Sequence, residues 1–329
     1  VVAQMADRIM VLRYGELVEE ATTREMMSSP KMEYTKSLWA VRSFKKEAET
    51  VASAMSPVVK VNSVTAGYGS EDILKEVSFE IHRGQTVAIV GESGSGKSTA
   101  ARVITGLLPP RVGDIQLNGK ILPKSFKARN KEQLRHVQMI YQMADTALNP
   151  RQRIRNIIGR PLTFYLGLTG KQKEARIREL LSLIELEPDL YIDRFPDELS
   201  GGQKQRVSIA RALAAEPEFI ICDEVTSALD QLVAEGILRL LDRLQREFNL
   251  AYMFITHDLA TVKAIADNVV VMLQGKIVEQ GSKTEIFSPP HHDYTELLLS
   301  SVPEMDPDWL NELIAHREKH GVMSSTSIS

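Results

Sequence analysis

Residues 91–99 carry the clearest chemistry in the chain, because glycine, lysine and hydroxyl residues recur there at a fixed spacing. The spacing fits G-x-x-x-x-G-K-[ST], a loop whose backbone N–H groups surround the phosphates of a nucleotide. Lys97 is expected to reach the β- and γ-phosphates, and the Ser98 hydroxyl to ligate Mg²⁺. A helix that begins near Lys97 would add a partial positive charge of about half a unit. The pattern predicts that ATP and Mg²⁺ bind through Gly91, Glu92, Ser93, Gly94, Ser95, Gly96, Lys97, Ser98 and Thr99.

A flexible turn before a helix is the alternative interpretation of this loop. However, an apolar run at residues 85–90 predicts a short strand before it, and residues 98–107 continue as a predicted helix. Strand, glycine loop and helix are the context that a phosphate-binding loop requires, so nucleotide binding is favoured.

Two carboxylates, Asp223 and Glu224, follow directly on the apolar run 219–222. The carboxyl end of a buried strand is where ligands bind in α/β sheets. Asp223 is placed to hold Mg²⁺ through water, and Glu224 to orient or deprotonate an attacking water molecule. Adjacent residues of a strand point to opposite sides, so the two side chains can serve different roles. A solvated acidic strand end is the alternative, and the phosphate-binding loop disfavours it.

Three further residues are candidates for the nucleotide site because each follows an apolar run or lies in a turn. His257 follows the apolar run 252–255 and Thr256, and it suits a sensor that donates a hydrogen bond to the γ-phosphate. Gln142 ends the run 137–141 and is placed to contact Mg²⁺ and the attacking water. Tyr68 lies in a turn and is expected to stack on adenine. Ordinary packing or a polar strand end is the alternative for each.

These side chains need elements that position them, and the apolar pattern predicts an α/β fold. Alternation predicts antiparallel strands near the start, and short apolar runs predict buried parallel strands. Helical spacing covers the middle of the chain, from about residue 148 to 186. The predicted strands are 58–64, 76–81, 85–90, 219–222 and 251–255, and further predicted helices are 98–107, 200–215 and 231–247. Together they imply a mostly parallel sheet with helices on its faces, an antiparallel sheet before it and a helical insert within it.

The composition narrows the class of protein. The 329 residues suffice for one large or two ordinary domains. A net charge of −3 gives no reason to expect nucleic-acid binding driven by overall charge. Cys222 is the single cysteine, so a disulfide framework or a cysteine-based metal site is excluded. No apolar run reaches the roughly 18 to 20 residues that a membrane span needs.

An internal repeat links the two ends of the chain. The segment that begins at Ala6-Asp7 matches the one at Ala266-Asp267 in register, with a constant offset of 260 that pairs Gly15 with Gly275. We expect residues 1–45 to be the C-terminal tail of a preceding domain of the same kind, whose body is missing. We also expect Met10-Val11-Leu12 and Leu17-Val18 either to expose apolar surface or to dock opportunistically on another surface. Chance similarity of two strand–turn–strand–helix units is the alternative, and the sustained match disfavours it.

With a second glycine motif at residues 199–203, the chain resembles the ATP-binding subunits of ABC transporters over residues 58–303. The motifs that carry this resemblance are Walker A at 91–99, the Q-loop Gln142, the signature at 199–203, Walker B at 219–224, the D-loop at 227–230 and the switch histidine His257. The resemblance implies a P-loop NTPase cassette with a RecA-like mostly parallel core, an antiparallel β-subdomain and an α-helical subdomain. It also implies that two cassettes bind head to tail, so that the signature of one meets the γ-phosphate held by the other. The second cassette would be either the missing first half or another copy of this one. The residues implied on that side are Ser200, Gly201, Gly202, Gln203 and Asp230.

A narrower similarity is to the importers of oligopeptides, dipeptides and nickel, carried by residues 91–98, 148–152 and 290–298. It implies uptake of peptides or related solutes, such as glutathione or opines, through separate permease subunits and, indirectly, a periplasmic solute-binding protein. The resemblance implies a peripheral protein at the cytoplasmic face of the bacterial inner membrane. It implies no nucleic-acid partner. Met143-Ala144 departs from the Asp-Pro that this branch often has beside the permease contact.

These observations divide the chain into four predicted segments. They are a tail at 1–45, a linker at 46–57, a cassette at 58–290 with its helical subdomain at about 145–210, and an oligopeptide-importer-type C-terminal extension with a disordered tail at 291–329. Two other functions stay open: a soluble tandem ATPase that acts outside transport, and an inactive fragment that only binds ATP. Neither a basic patch nor a heptad insert supports the first, and the complete set of motifs disfavours the second.

Overall fold

The computed structural model describes residues 6–40, residue 46 and residues 56–300. The chain forms two compact units, of which the larger runs from Phe44 to His292. The described residues of the smaller unit are 6–40 and 293–300. Most of the predicted linker and the extension beyond residue 300 lie outside the described residues.

A six-stranded sheet forms the centre of the larger unit, and five of its strands are parallel. The strand order is β12-β11-β5-β10-β9-β8, with β12 antiparallel to β11 at one edge. The strands are β5 (Thr86–Val90), β8 (Val137–Ile140), β9 (Phe219–Asp223), β10 (Ala251–Ile255), β11 (Asn268–Leu273) and β12 (Lys276–Ser282). Every residue of β5 and β10 is buried, as expected for strands covered on both faces. The predicted parallel core is confirmed.

A four-stranded antiparallel sheet accompanies it, in the order β4-β3-β6-β7. Its strands are β3 (Val59–Ala66), β4 (Leu74–Ile81), β6 (Val112–Leu117) and β7 (Lys120–Ile121). Side chains of this sheet, such as Val59 and Ile81, share one apolar cluster with Ile89 and Met253 of the parallel sheet. That shared cluster includes the buried face of the helix that follows β5. It fixes the helix between the two sheets.

Helices on the sheet faces and in the insert account for the rest of the larger unit. In chain order they are α3 (Lys97–Ile104), α4 (Lys131–His136), α5 (Ala144–Ala147), α6 (Ile154–Leu166), α7 (Gly170–Leu183), α8 (Pro188–Tyr191), α9 (Gly201–Leu213), α10 (Gln231–Phe248), α11 (Leu259–Ile265) and α12 (Lys283–Ile286). The predicted helix 98–107 ends earlier, because Gly106 takes a left-handed conformation with φ of 77°. The long helical pattern divides into α6 and α7, since Gly167 at φ 70° ends α6.

The smaller unit contains a hairpin of β1 (Arg8–Arg13) and β2 (Glu16–Thr22), followed by α1 (Thr23–Ser28) and α2 (Glu33–Ala40). It also contains α13 (Asp293–Ser300). Ile9 and Val11 pack with Met26 in a small apolar cluster. The prediction that residues 10–12 expose apolar surface was therefore wrong for Val11, because this strand alternates and α1 covers one of its faces.

The repeated residues form the same elements at the same offset of 260. Arg8 pairs with Thr22 as Asn268 pairs with Ser282, and both hairpins shift register at the same place. Each turn has two positive φ angles, 52° and 84° at Tyr14-Gly15 and 48° and 84° at Gln274-Gly275. Each following helix begins with a capping box. The sequence repeat is thus a structural repeat.

Lys46 is the one described residue of the predicted linker before Ser56. Its buried ammonium group lies 2.6 Å from Asp267 Oδ2 and 2.6 Å from Gln245 Oε1. Its backbone N–H donates to the carbonyl of Ala264 at 2.8 Å. This residue is therefore part of the larger unit. Within the described ranges, the structure contains no helix that is long and apolar enough to cross a membrane.

Candidate nucleotide site

The phosphate-binding loop connects the end of β5 to the start of α3. Gly96 precedes the helix with φ of 106°, and no side chain caps the first turn of α3. The backbone N–H groups of that turn are therefore not used by a capping side chain, as binding of an anion there requires. A Cβ atom at Gly91 would lie 2.1 Å from the carbonyl oxygen of Met272, so only glycine lets the loop pass β11.

The side chain of Lys97 folds back onto this loop. Its ammonium group donates to the carbonyl oxygens of Gly91 at 2.8 Å and Glu92 at 2.7 Å. Burial lowers the pKa of Lys97, and the carboxylates of Glu224 and Asp223 oppose that shift. The Lys97 side chain is thus fixed by two backbone hydrogen bonds at the mouth of the loop, where the charge of a triphosphate would lie.

Ser98 and Asp223 supply a pair of oxygen ligands beside the lysine. The Ser98 hydroxyl donates to Asp223 Oδ1 at 3.4 Å. Burial raises the pKa of the Asp223 carboxyl, the Ser98 hydrogen bond lowers it and the charge of Glu224 raises it. Mg²⁺ in nucleotide sites takes one or two protein oxygens and completes its shell with water and phosphate oxygens. The two side chains fit that requirement.

Glu224 lies beyond the end of β9, turned away from the strand by a positive φ of 48°. Few non-glycine residues adopt this conformation, and it is common at functional sites. Its backbone N–H donates to the carbonyl of Ile255 at 2.9 Å, which fixes it beside β10. The different orientations predicted for Asp223 and Glu224 therefore arise from a change of backbone conformation after Asp223.

The side chains of Gln142 and His257 both contact the Glu224 carboxylate. Gln142 Nε2 donates to Oε2 at 2.5 Å, and His257 Nδ1 lies 3.3 Å from Oε1. Gln142 follows β8 and His257 follows β10, so the carboxyl ends of three strands bring these side chains together. The sequence predicted all three residues separately, and the structure places them in one cluster.

Tyr68 lies in the turn between β3 and β4, with 47% of its surface exposed. Its hydroxyl accepts a hydrogen bond from Arg102 Nη1 at 2.7 Å. Arg102 lies on α3, and its charge also lowers the pKa of Asp223. The sequence analysis did not identify Arg102, although its place in the helix that starts at Lys97 was a usable signal.

The signature residues contact their own helix and the segments packed against it. Ser200 caps the 13-residue helix α9 through a capping box with Gln203. The Gln203 side chain donates to the Tyr191 hydroxyl at 2.9 Å. Gly201 is exposed, whereas a Cβ atom at Gly202 would lie 2.4 Å from Val233 Cγ1. Asp230 similarly caps α10, because its carboxylate accepts a hydrogen bond from the backbone N–H of Val233.

The turn between β11 and β12 supports the phosphate-binding loop, a role that the sequence did not indicate. The backbone N–H of Gly275 donates to the Ser95 carbonyl at 3.0 Å, and its carbonyl accepts from the N–H of Lys75 at 2.8 Å. A Cβ atom at Gly275 would lie 1.9 Å from the carbonyl oxygen of Ile73. The glycine is required by this close approach as well as by its φ of 84°.

Comparisons with known proteins identify the family to which the chain belongs. The family model described as "ABC transporter" matches residues 74–227, and the model of the "Oligopeptide/dipeptide transporter, C-terminal region" matches residues 278–323. A provisionally named peptide import ATP-binding protein of Brucella abortus (strain 2308) is 47% identical over 229 residues, which are 69% of this chain and 68% of that protein. The chain belongs to the family of ABC transporter ATP-binding proteins.

Longer and structural matches extend the comparison. The glutathione import ATP-binding protein GsiA of Escherichia coli (strain K12) is 37% identical over 344 aligned residues, covering 93% of this chain and 55% of that protein. The chain thus spans about half the length of that relative. CbiO1 of Clostridium perfringens, part of the ABC transporter complex cbiONQ, superposes with a TM-score of 0.65 at 29% identity, over 71% of this chain and 91% of that one. The predicted family and cassette fold are confirmed, and a function outside transport is not favoured.

Proposed function

We propose that this chain hydrolyses ATP with Mg²⁺ and thereby energises the import of peptides or related small solutes through separate permease subunits. The observation that carries the proposal is the convergence of Gln142 and His257 on Glu224, beside Lys97 and Asp223. The names of the relatives, peptide import and glutathione import, support the class of solute.

The proposed reaction is an in-line attack of water on the γ-phosphorus. A new oxygen–phosphorus bond forms, the bond to the β–γ bridging oxygen breaks, and ADP and phosphate leave. Glu224 accepts the proton of the attacking water, while Gln142 and His257 hold its carboxylate in place. Lys97 and the loop N–H groups bind the β- and γ-phosphates. Mg²⁺, held through Ser98 and Asp223, would neutralise charge that develops on the phosphate oxygens.

We further propose that a second cassette completes the site in a head-to-tail pair. Gly201 and Asp230 are exposed, and Ser200 lies at the N-terminus of a helix long enough to offer a partial positive charge. In such a pair Ser200 and Gly202 of one cassette would meet the γ-phosphate on the other, and Asp230 would lie at the same junction. The N-terminus of α9 would then supply in trans the partial positive charge that the N-terminus of α3 supplies in cis.

An aromatic groove beside the site is the surface we assign to the permease. A cavity of about 460 Å³ is lined by Leu107, Phe126, Tyr141, Arg160, Phe164 and Arg211, among others. Tyr141 and Phe164 are exposed, and Tyr141 directly precedes Gln142. A permease segment seated there would contact the residue next to the reacting cluster. This assignment implies a peripheral position at the cytoplasmic face of the inner membrane, with a periplasmic solute-binding protein as an indirect partner.

Substitution of Glu224→Gln tests the proposed reaction. The amide keeps the shape of the side chain but cannot accept a proton, so ATP should still bind while phosphate release falls about 10²-fold or more. Phosphate release and ATP binding are measured on the same preparation. His257→Ala serves as the matched comparison, because it removes one partner of the carboxylate and should reduce turnover while the Glu224 side chain itself is kept. Unchanged phosphate release by Glu224→Gln would remove Glu224 from its role.

A further inference from the structure

The turn that carries Tyr68 has a backbone fixed by Arg111. Arg111 Nη2 donates to the carbonyl oxygen of Gly69 at 2.6 Å, and the same guanidinium forms an ion pair with Asp72. The backbone N–H of Glu71 donates to the carbonyl of Tyr68 at 3.0 Å and closes the turn. The backbone therefore presents the Tyr68 side chain from a defined position between β3 and β4.

The side chain of Tyr68 is held separately, by Arg102. The Arg102 guanidinium donates from Nη1 to the Tyr68 hydroxyl at 2.7 Å. Arg102 follows Ser98 by four residues on α3, so the two exposed side chains lie on one face of the helix, about 6 Å apart along its axis. That face leads from a proposed Mg²⁺ ligand to the guanidinium, and from there to the tyrosine ring.

The ring of Tyr68 is fixed by its polar end and is open over much of its surface. Its exposed fraction is 47%. Within the described part of the larger unit, Tyr68 belongs to neither of the two large apolar clusters. Core packing therefore does not account for the orientation of the ring, whereas the hydrogen bond from Arg102 does. An open aromatic ring of this kind offers a face to a flat, polarisable group such as a nucleobase.

We infer that Arg102 is a positioning residue for recognition of the base, because it holds the Tyr68 ring in the orientation in which adenine stacks on it. The inference rests on the proposed function, since it takes ATP as the ligand, and it adds a residue that acts on the base rather than on the phosphates. Arg102 acts through the tyrosine hydroxyl and does not itself touch the base. A ring held before binding has less rotational freedom to lose when the base arrives, so the affinity for a nucleotide rises.

The charge of Arg102 offers a second explanation, at the phosphate end of the site. Burial raises the pKa of Asp223, and the Arg102 charge is one of the influences that oppose this rise. An arginine that acted only in this way would favour any Mg²⁺-bound polyphosphate, with or without a base. Tripolyphosphate has a chain of three phosphates and no base, so it separates the two explanations. We define the base preference as the dissociation constant of Mg·tripolyphosphate divided by that of Mg·ATP.

Calorimetric titration of both ligands into the full chain measures this base preference. Tyr68→Phe keeps the ring and removes the hydroxyl, so the base preference should fall about threefold, the effect of one hydrogen bond. Arg102→Met removes the donor of the same hydrogen bond and should lower the base preference by a similar factor. Any change at Asp223 alters both dissociation constants alike and cancels in the ratio. The double substitution should lower the base preference no further than either single one, to within about twofold.

Two further variants bracket the expected effect. Tyr68→Ala removes the ring itself, so the base preference should fall about tenfold or more. Tyr14→Phe removes the hydroxyl of a tyrosine that is 93% exposed in the smaller unit, and it should leave both dissociation constants unchanged. Circular dichroism verifies that each variant is folded.

Weaker binding of both ligands to Arg102→Met, with an unchanged base preference, would overturn the inference, because Arg102 would then act on the phosphates alone. An unchanged base preference in Tyr68→Phe, or a double variant in which the two single effects multiply, would overturn it as well. A wild-type base preference near one has the same meaning, although binding of the phosphates would stand. Failure of the wild-type chain to bind either ligand would instead contradict the proposed function.

Discussion

Asp223 is the residue at which the proposed function and the stability of the fold oppose each other. Burial disfavours its charged form and raises its pKa, yet an ionised carboxylate is what Mg²⁺ requires. Near neutral pH the charged group therefore lowers the free energy of unfolding. A site that keeps such a carboxylate is typical of binding or catalysis rather than of packing.

Substitution of Asp223→Asn should separate the two effects. The amide oxygen still accepts from Ser98 but carries no charge, so the thermal midpoint at pH 7 should rise while Mg²⁺-dependent ATP binding is lost. As pH falls through the raised pKa, the wild-type carboxyl becomes protonated and its destabilisation disappears. The difference in midpoint between variant and wild type should therefore shrink toward acid pH. A lower midpoint for the variant at pH 7 would contradict this account.

The sequence predicts most single residues of the site, because each sits in a short pattern with its own chemistry. Lys97 and Ser98 belong to a contiguous loop, and Asp223 and Glu224 end an apolar run. Arg102 was missed because its contact with Tyr68 joins a helix to a turn 34 residues earlier. Such a pairing depends on how the two sheets enclose α3, which no local pattern records.

At the scale of elements, the β11–β12 turn is a structural part of the nucleotide site. It holds the phosphate-binding loop through Gly275, and β11 limits the space around Gly91. Both contacts are made by backbone atoms. The geometry of the loop therefore depends on an element almost two hundred residues away in the chain.

Substitution of Gly275→Ala should displace this turn. The new Cβ would meet a backbone oxygen at 1.9 Å, so the turn or the loop must shift, and Mg·ATP affinity should fall. The unfolding free energy should fall by about 3 kcal/mol, the upper end of the range for strain at a special backbone position, because the clash adds to the strain. Gly15→Ala is the control with the same φ but open space, and it should cost only about 1 kcal/mol. Calorimetry of unfolding and of ATP binding checks both, and equal effects of the two substitutions would exclude the steric explanation.

The predicted elements agree with the structure where the apolar pattern is unambiguous. Continuous apolar runs predicted β5 and β10 because strands buried on both faces need apolar residues at every position. β6 and β7 were not predicted, since Val112–Leu117 mixes glycine and an acid with apolar residues and β7 has only two residues. Their pairing comes from neighbouring strands rather than from their own sequence.

For the whole molecule, the repeat at offset 260 indicated two hairpins of one kind, and the structure gives them the same register. The sequence also indicated an exposed apolar side on the first, and Met10, Leu12 and Leu17 are exposed. It could not show that Val11 is covered, because that depends on how α1 packs. The division of the chain into a tail, a linker and a cassette stays a prediction.

The central claim concerns one binding event, a triphosphate held by the loop between β5 and α3. Calorimetric titration of Mg·ATP into the full chain and into Lys97→Ala tests it most directly, with circular dichroism to verify that both are folded. Loss of charge-assisted hydrogen bonds worth about 1.5 to 3 kcal/mol should raise the dissociation constant at least about tenfold. Binding of equal strength to a folded Lys97→Ala protein would contradict the claim.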